Sequence, residues 1–219
     1  PYTVAKMLAE SDKKDLGCHT GTISDAFLEL YQAGKLTNAH KELDTGLSAW
    51  NLAMGSQELY DWLDAEPQLF HPGDLDYIHS VERISKLSNV ISINGGVQLD
   101  LMGQENAEST GTRQLSGVGG QMDFLEGAYR SKGGKGFICI NSSRVTKDGE
   151  RKSNILATIP GGSTISAPRT MIQYVATEYG IASLSGKTLR ERAEAMASIA
   201  HPDFRDELTF EAKKRGIMI

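Results

Sequence analysis

Only two cysteines, Cys18 and Cys139, occur in the 219 residues, far apart in the chain. That is too few for a disulfide framework, and the spacing fits no zinc cluster. Both are expected as buried free thiols of a reducing cytoplasm. Long apolar runs are missing too: none approaches the roughly 18 residues that a membrane-crossing helix needs. The opening stretch, PYTVAKMLAESDKKD, has too short an apolar core, with charge behind it, for a signal peptide. No charge excess suits a polyanion: 23 Lys+Arg against 28 Asp+Glu give a net charge of -5. Neither nucleic acid nor an anionic membrane is an expected partner, although a local basic pocket for a phosphate is compatible with the total. Phosphate loops of the Walker type, HExxH, zinc spacings and nucleophile elbows are all absent from the sequence, and no metal site is expected.

What is present reads as an α/β fold. Hydrophobic residues are 39% and charged residues 23%, a globular composition. Short apolar runs alternate with helix-length amphipathic stretches. Leu16 to His19 is a short apolar run, a strand end leading into a loop. Ser24-Asp25 should cap a helix through Ala33, with Gly34 as its stop. Leu47 to Met54 reads as a strand, Gly55-Ser56 opens a helix, and Pro67 to Gly73 reads as a loop. Val90 to Ile93, Val97 to Leu101, Phe137 to Ile140 and Ile172 to Ala176 read as further strands. Gly117 to Gln121 is a turn into a helix from Met122 to Arg130, and Lys147 to Lys152 a charged hairpin-like loop. Helices near Thr188 to Ile199 and Asp203 to Lys214 close the chain, broken at His201-Pro202. Lys187 to Arg192 reads as a solvated helix face, and Tyr60 and Trp62 as core or interface. No linker separates two domains, so one compact unit is expected.

Three stretches carry possible chemistry. In Ser116-Gly117-Val118-Gly119-Gly120-Gln121, glycines ahead of a helix let backbone N–H groups approach a phosphate, a carboxylate or an oxyanion; the bland alternative is a tight connection. In Gly17-Cys18-His19-Thr20-Gly21-Thr22, a strand end and a small-residue loop make a crevice, where His19 is a general base or a hydrogen-bonded structural residue. In Tyr174 to Ala182, Glu178 directly follows an apolar strand and either faces a cleft or caps a surface.

Together these stretches resemble the C-terminal domain of the acetyl-CoA hydrolase/transferase family, which includes 4-hydroxybutyrate CoA-transferase. The likeness also takes in Gly34-Lys-Leu-Thr-Asn38, Met54-Gly55-Ser56, Ser92-Ile93-Asn94, Asp100-Leu101-x-Gly103-Gln104, Glu108-Ser109, Gly186-Lys187, Arg190-x-Arg192 and Ala200-His-Pro-x-Phe204. The resemblance implies a three-layer open sheet of the CoA-transferase type over 1–219. It implies CoA exchange between a short-chain acyl-CoA and a carboxylic acid through a glutamyl-CoA thioester, with CoA as substrate and no permanently bound cofactor. It places Gly119 and Gly120 at the oxyanion, Glu178 near the acyl or CoA site, and His19, Thr20, Met54, Gly55, Ser56, Asn94 and Gln121 around the substrate.

One position departs from the family. Its nucleophile stands in His-Thr-Glu-Met, which here is His19-Thr20-Gly21-Thr22. The family's Asn-Asn-Pro reads His79-Ser80-Val81, and the arginine of its Ser-Arg-Ile is Asn154. Four alternatives follow. A carboxylate from an N-terminal half replaces the glutamate, or the acceptor attacks the thioester directly, or water does so in a hydrolase, or acyl-CoA binds without turnover. Within this chain Glu178 is the substitute nucleophile to name. Relatives of this kind are about twice as long, and the chain starts at Pro1, so an N-terminal half and a homo-oligomer, a dimer, are expected partners. A nucleotide-binding oxidoreductase lacks its fingerprint spacing here.

Overall fold

A computed structural model describes residues 2–218; Pro1, the atypical first residue, lies outside them. The chain divides into two compact units, 1–90 with 130–134, and 91–129 with 135–219. This differs from the single unit expected, because the division falls between adjacent residues and needs no linker.

The first unit holds α1 (Tyr2–Glu10), β1 (His19–Ile23), α2 (Asp25–Gln32), β2 (Ser48–Ala53), α3 (Gln57–Ala65), a 3-10 turn (Pro67–Leu69), β3 (Phe70–Pro72), α4 (Leu75–Ile78) and α5 (Val81–Lys86). Its three strands form a parallel sheet in the order β1-β2-β3. Two expectations are corrected here. The His19-Thr20-Gly21-Thr22 segment is a strand, not a loop after one, and Pro67 to Gly73 contains β3. Neither has an apolar run; each extends because β2 lies beside it and accepts its backbone bonds. Ile23, Leu28, Leu59, Trp62 and Phe70 fill the core, with Trp62 edge-on to Phe70 at 4.8 Å between ring centroids. Tyr60, expected with Trp62 in core or interface, is exposed, its hydroxyl donating to the Ala53 carbonyl.

The second unit begins with β4 (Ile91–Gly95), β5 (Gln98–Asp100), β6 (Glu105–Asn106), β7 (Ser109–Thr110), β8 (Arg113–Gln114) and α6 (Gln121–Arg130). It continues with β9 (Lys135–Cys139), β10 (Ser143–Val145), β11 (Arg151–Ser153), β12 (Ile155–Leu156), β13 (Tyr174–Thr177), β14 (Gly180–Ser183), α7 (Leu189–Ser198) and α8 (Pro202–Lys214). Its main sheet runs β14-β13-β9-β4, with β4, β9 and β13 parallel and β14 antiparallel at one edge. α6 is the crossover between β4 and β9, and the excursion β5 to β8 comes before it. Leu125 of α6 meets Ile138, Val175, Leu184 and Met196 in a core that excludes water. The open, mostly parallel α/β sheets agree with the fold class read from the sequence. The charged loop at 147–152 is, as expected, the turn of a hairpin, β10 against β11.

Arg192 overturns the solvated-face expectation. Only 7% exposed, it donates to three carbonyl oxygens, those of Met102, Leu184 and Arg169, at 2.6–2.7 Å. Gly103, at φ +80°, makes the room: a Cβ there would lie 2.8 Å from Nη2 of Arg192. Cys18 is buried and Cys139 only partly so, and both are free thiols. Among the described residues no helix is long and apolar enough to cross a membrane, and no cluster of His, Cys, Asp and Glu is arranged to hold a metal.

Candidate functional site

In the first unit the candidate residues collect at β1 and at the carboxyl ends of β1 and β2, where open parallel sheets present ligand-binding crevices. His19 begins β1 and donates from Nε2 to the Ile78 carbonyl at 2.8 Å. Burial pulls its pKa below the ordinary imidazole value, only partly offset by that hydrogen bond. His19 is therefore a neutral ring with its Nε2 proton committed to the backbone, which favours the structural alternative over the general base. Thr20 reaches across Gly21: its hydroxyl donates to the Thr22 carbonyl at 3.1 Å and accepts from the Thr22 N–H at 3.3 Å. Gly21 thus sits mid-strand, flanked by the pairs Thr20↔Trp50 and Thr22↔Leu52.

Met54, Gly55 and Ser56 form the turn that leaves β2. Met54 is exposed, and its N–H donates to the Ile23 carbonyl at 3.0 Å. Ser56 is the N-cap of α3, accepting from the Leu59 N–H. Its hydroxyl donates to Asp25 at 2.6 Å and its backbone N–H to the same carboxylate at 3.1 and 3.2 Å. A Cβ on Gly55 would lie 2.7 Å from Asp25 Oδ2, so the close approach requires glycine. The Ser56 hydroxyl, then its N–H, hold Asp25 below the usual carboxylate range. Asp25 ties the ends of β1 and β2 together. Sequence reasoning took it for a helix cap; its contact lies 31 positions away.

In the second unit the candidates lie near the carboxyl ends of β4 and β13 and the start of α6. Asn94, near the end of β4, donates to Ser92 Oγ at 2.8 Å. Gly119, at φ +59°, takes the left-handed conformation that lets the chain turn sharply into α6. Gln121, the first residue of α6, donates from Nε2 to Glu105 Oε2 at 2.7 Å. Glu178 stands in the turn between β13 and β14. Its two oxygens are held by Ser142, by the hydroxyl at 2.6 Å and the N–H at 2.9 Å. Burial pushes its pKa up, but these hydrogen bonds outweigh it and leave Glu178 below its ordinary value. It is an oriented, ionised carboxylate.

Glu105 was not named by sequence reasoning. It is fully buried, and burial, opposed by the Gln121 hydrogen bond and reinforced by the charge of Glu108, raises its pKa to about 7. Nothing local signals this: Glu105 follows the Gly103-Gln104 turn like any surface carboxylate. Two carboxylates of one unit, one ionised and one near neutrality, are a pattern found where acid–base or acyl chemistry is done. The structure thus joins Gln121 to Glu105 and Glu178 to Ser142, and in the other unit Ser56 to Asp25.

Residues 55–212 match the family described as the acetyl-CoA hydrolase/transferase C-terminal domain. Over 217 residues the chain is 45% identical to the butyryl-CoA:acetate CoA-transferase of Anaerostipes caccae, covering 99% of this chain and 48% of that protein. It is 44% identical over 211 residues to the 4-hydroxybutyrate coenzyme A transferase of Clostridium kluyveri, covering 96% and 48%. The crystal structure of RipA from Yersinia pestis matches with a TM-score of 0.90 at 39% identity, over 100% of this chain and 48% of that one. The chain spans about half the length of the curated relatives it matches.

Proposed function

Because this chain belongs to the acetyl-CoA hydrolase/transferase family, by its C-terminal domain, we propose that with an N-terminal half it moves CoA between a short-chain acyl-CoA and a carboxylic acid. The observation that carries this is the turn Gly119-Gly120 opening α6, with the oriented carboxylate Glu178 in the same unit. In this reading the backbone N–H groups of the turn stabilise the tetrahedral oxyanion, as preorganised donors do in acyl transfer. Gln121 and Asn94 contact the substrate from the same unit. In the first unit His19, Thr20, Met54, Gly55 and Ser56 are the residues this reading assigns to binding CoA. CoA is substrate rather than resident cofactor. The whole protein is a cytoplasmic homo-oligomer, a dimer, in keeping with two free thiols.

Gly21 decides between routes. It has no side chain to attack a thioester. In the transferase reading a carboxylate therefore comes from the N-terminal half, from Glu178, or from the acceptor acid itself. Gly21 also favours a second reading, in which water occupies that space and the protein is a thioester hydrolase. A third, of a different class, is a CoA-binding subunit without turnover.

The test is an assay of the full-length protein with acetyl-, butyryl- and succinyl-CoA, with and without carboxylate acceptors, followed by borohydride trapping. CoA that moves only with an acceptor supports transfer, and a trapped glutamyl thioester names the carboxylate. Free CoA without an acceptor supports hydrolysis; binding without either supports the third reading. As a control, Gly21→Glu should yield a borohydride-trappable thioester on residue 21, since an extended strand residue accepts a side chain. Its failure to appear in a folded, acyl-CoA-binding variant removes position 21 from the mechanism.

A further inference from the structure

The unexplained group in the second unit is Glu105. Its side chain has no accessible surface, and among the described residues its Oε1 has no hydrogen-bond partner. A Cβ added to Gly96 would lie 2.8 Å from that oxygen and 3.0 and 3.2 Å from Ile140 and Ile138, so the carboxylate packs against a backbone with no side chain to spare. Its other oxygen accepts from Nε2 of Gln121 at 2.7 Å, and Gln121 is the residue that follows the Gly119-Gly120 turn. A buried, half-satisfied carboxylate is costly, and such a group in a folded protein calls for an explanation.

A carboxamide is planar, with a donor and an acceptor on one carbon. A carboxylate that can only accept takes the N–H and turns the carbonyl oxygen away. We infer that Glu105 is a positioning residue: it fixes the Gln121 carboxamide with Nε2 inward and Oε1 turned away from the core, so that the start of α6 offers an acceptor to the amide arm of an acyl-CoA. The inference rests on the CoA-dependent function proposed above. Of the two substrates only one can use such an acceptor. An ionised acid without a hydroxyl, such as acetate or butyrate, carries acceptors alone, whereas the pantetheine arm of CoA carries amide N–H donors. Once Glu105 binds a proton, its own O–H can donate to the amide oxygen, and the carboxamide loses its single orientation. Glu108 is the charged group that Glu105 senses, and Asp123 stands two residues beyond Gln121 in the first turn of α6. The charge of Glu108 favours the protonated form.

The experiment uses the full-length protein between pH 6 and 8. The KM for acyl-CoA should rise severalfold as pH falls through about 7, with the KM for the carboxylate unchanged and kcat little affected. In Glu105→Gln, whose amide does not titrate, the acyl-CoA profile should be flat. Gln121→Leu should raise the acyl-CoA KM at pH 8 by a similar factor, and the double variant should be no worse than Gln121→Leu alone. A folded Glu105→Gln protein that keeps the wild-type profile overturns the inference, as does a dependence that appears in the carboxylate's KM instead. If no turnover is found, the proposed activity has failed; calorimetric titration of CoA at pH 6 and 8 then reads the same contrast, and equal affinities overturn the inference independently. Should Glu105→Gln not fold, the absence of any pH effect on wild-type acyl-CoA KM or CoA affinity does so.

Discussion

At the scale of single residues, Glu105 couples proton binding to stability. Its pKa rises from an ordinary 4.5 to about 7 on folding. Between those values the unfolded chain holds fewer protons than the folded one, so stability falls as pH rises through the window. It is fully retained below pH 4.5 and lost by about pH 7. Glu105→Gln should therefore stabilise the full-length protein at pH 8, by on the order of 3 kcal/mol at 1.36 kcal/mol per unit, and leave it unchanged near pH 4.5. Urea unfolding at both pH values checks this; an equal effect at both would sink it. Arg192 makes a second case. Removing its side chain takes a donor from three carbonyl oxygens, that of Leu184 buried and those of Met102 and Arg169 half-buried, and Arg192→Ala should cost about 3 kcal/mol, seen as a lower Tm. Arg190→Ala, two positions away and facing solvent, should cost little. In the sequence the two arginines look alike. What separates them is the carbonyl cluster around Gly103, assembled from residues distant in the chain, and no local pattern announces it.

Among the elements, those that local chemistry defines were legible. α7 starts with a capping box in which Thr188 accepts from the Glu191 N–H and the Glu191 carboxylate accepts from Thr188. Thr188→Ala should lower stability by about 1 kcal/mol, measurable by thermal unfolding. α8 begins at Pro202, where a missing N–H costs nothing, and α6 begins where the glycines end. Strands chosen by their neighbours were not legible. β1 is His-Thr-Gly-Thr-Ile, which without β2 alongside reads as a loop. β3 ends in proline and occupies a sheet edge, where the lost donor is tolerated. The candidate site divides in the same way. The glycine turn and Glu178 stand out because glycine and strand-end patterns are local. Asp25 and Glu105 were missed because one meets its partner 31 positions away and the other 16 positions away.

For the whole molecule, a chain about half as long as its relatives bears on where activity resides. An N-terminal half, expressed separately, should bind this chain and restore CoA transfer that neither piece shows alone. Copurification and assay test this, and full activity in either piece by itself would refute it. The division into units has a consequence of its own. Residues 130–134 belong with 1–90, not with the sequence on either side of them. Ser131 donates to the Leu87 carbonyl at 2.6 Å, and the Lys132 carbonyl accepts from Asn89 at 2.8 Å. The first unit is therefore completed by a segment made long after it. While the chain emerges from a ribosome, the first unit has its sheet complete by β3 but lacks this closing segment until β4 and α6 have been synthesised and Gly134 has cleared the exit tunnel.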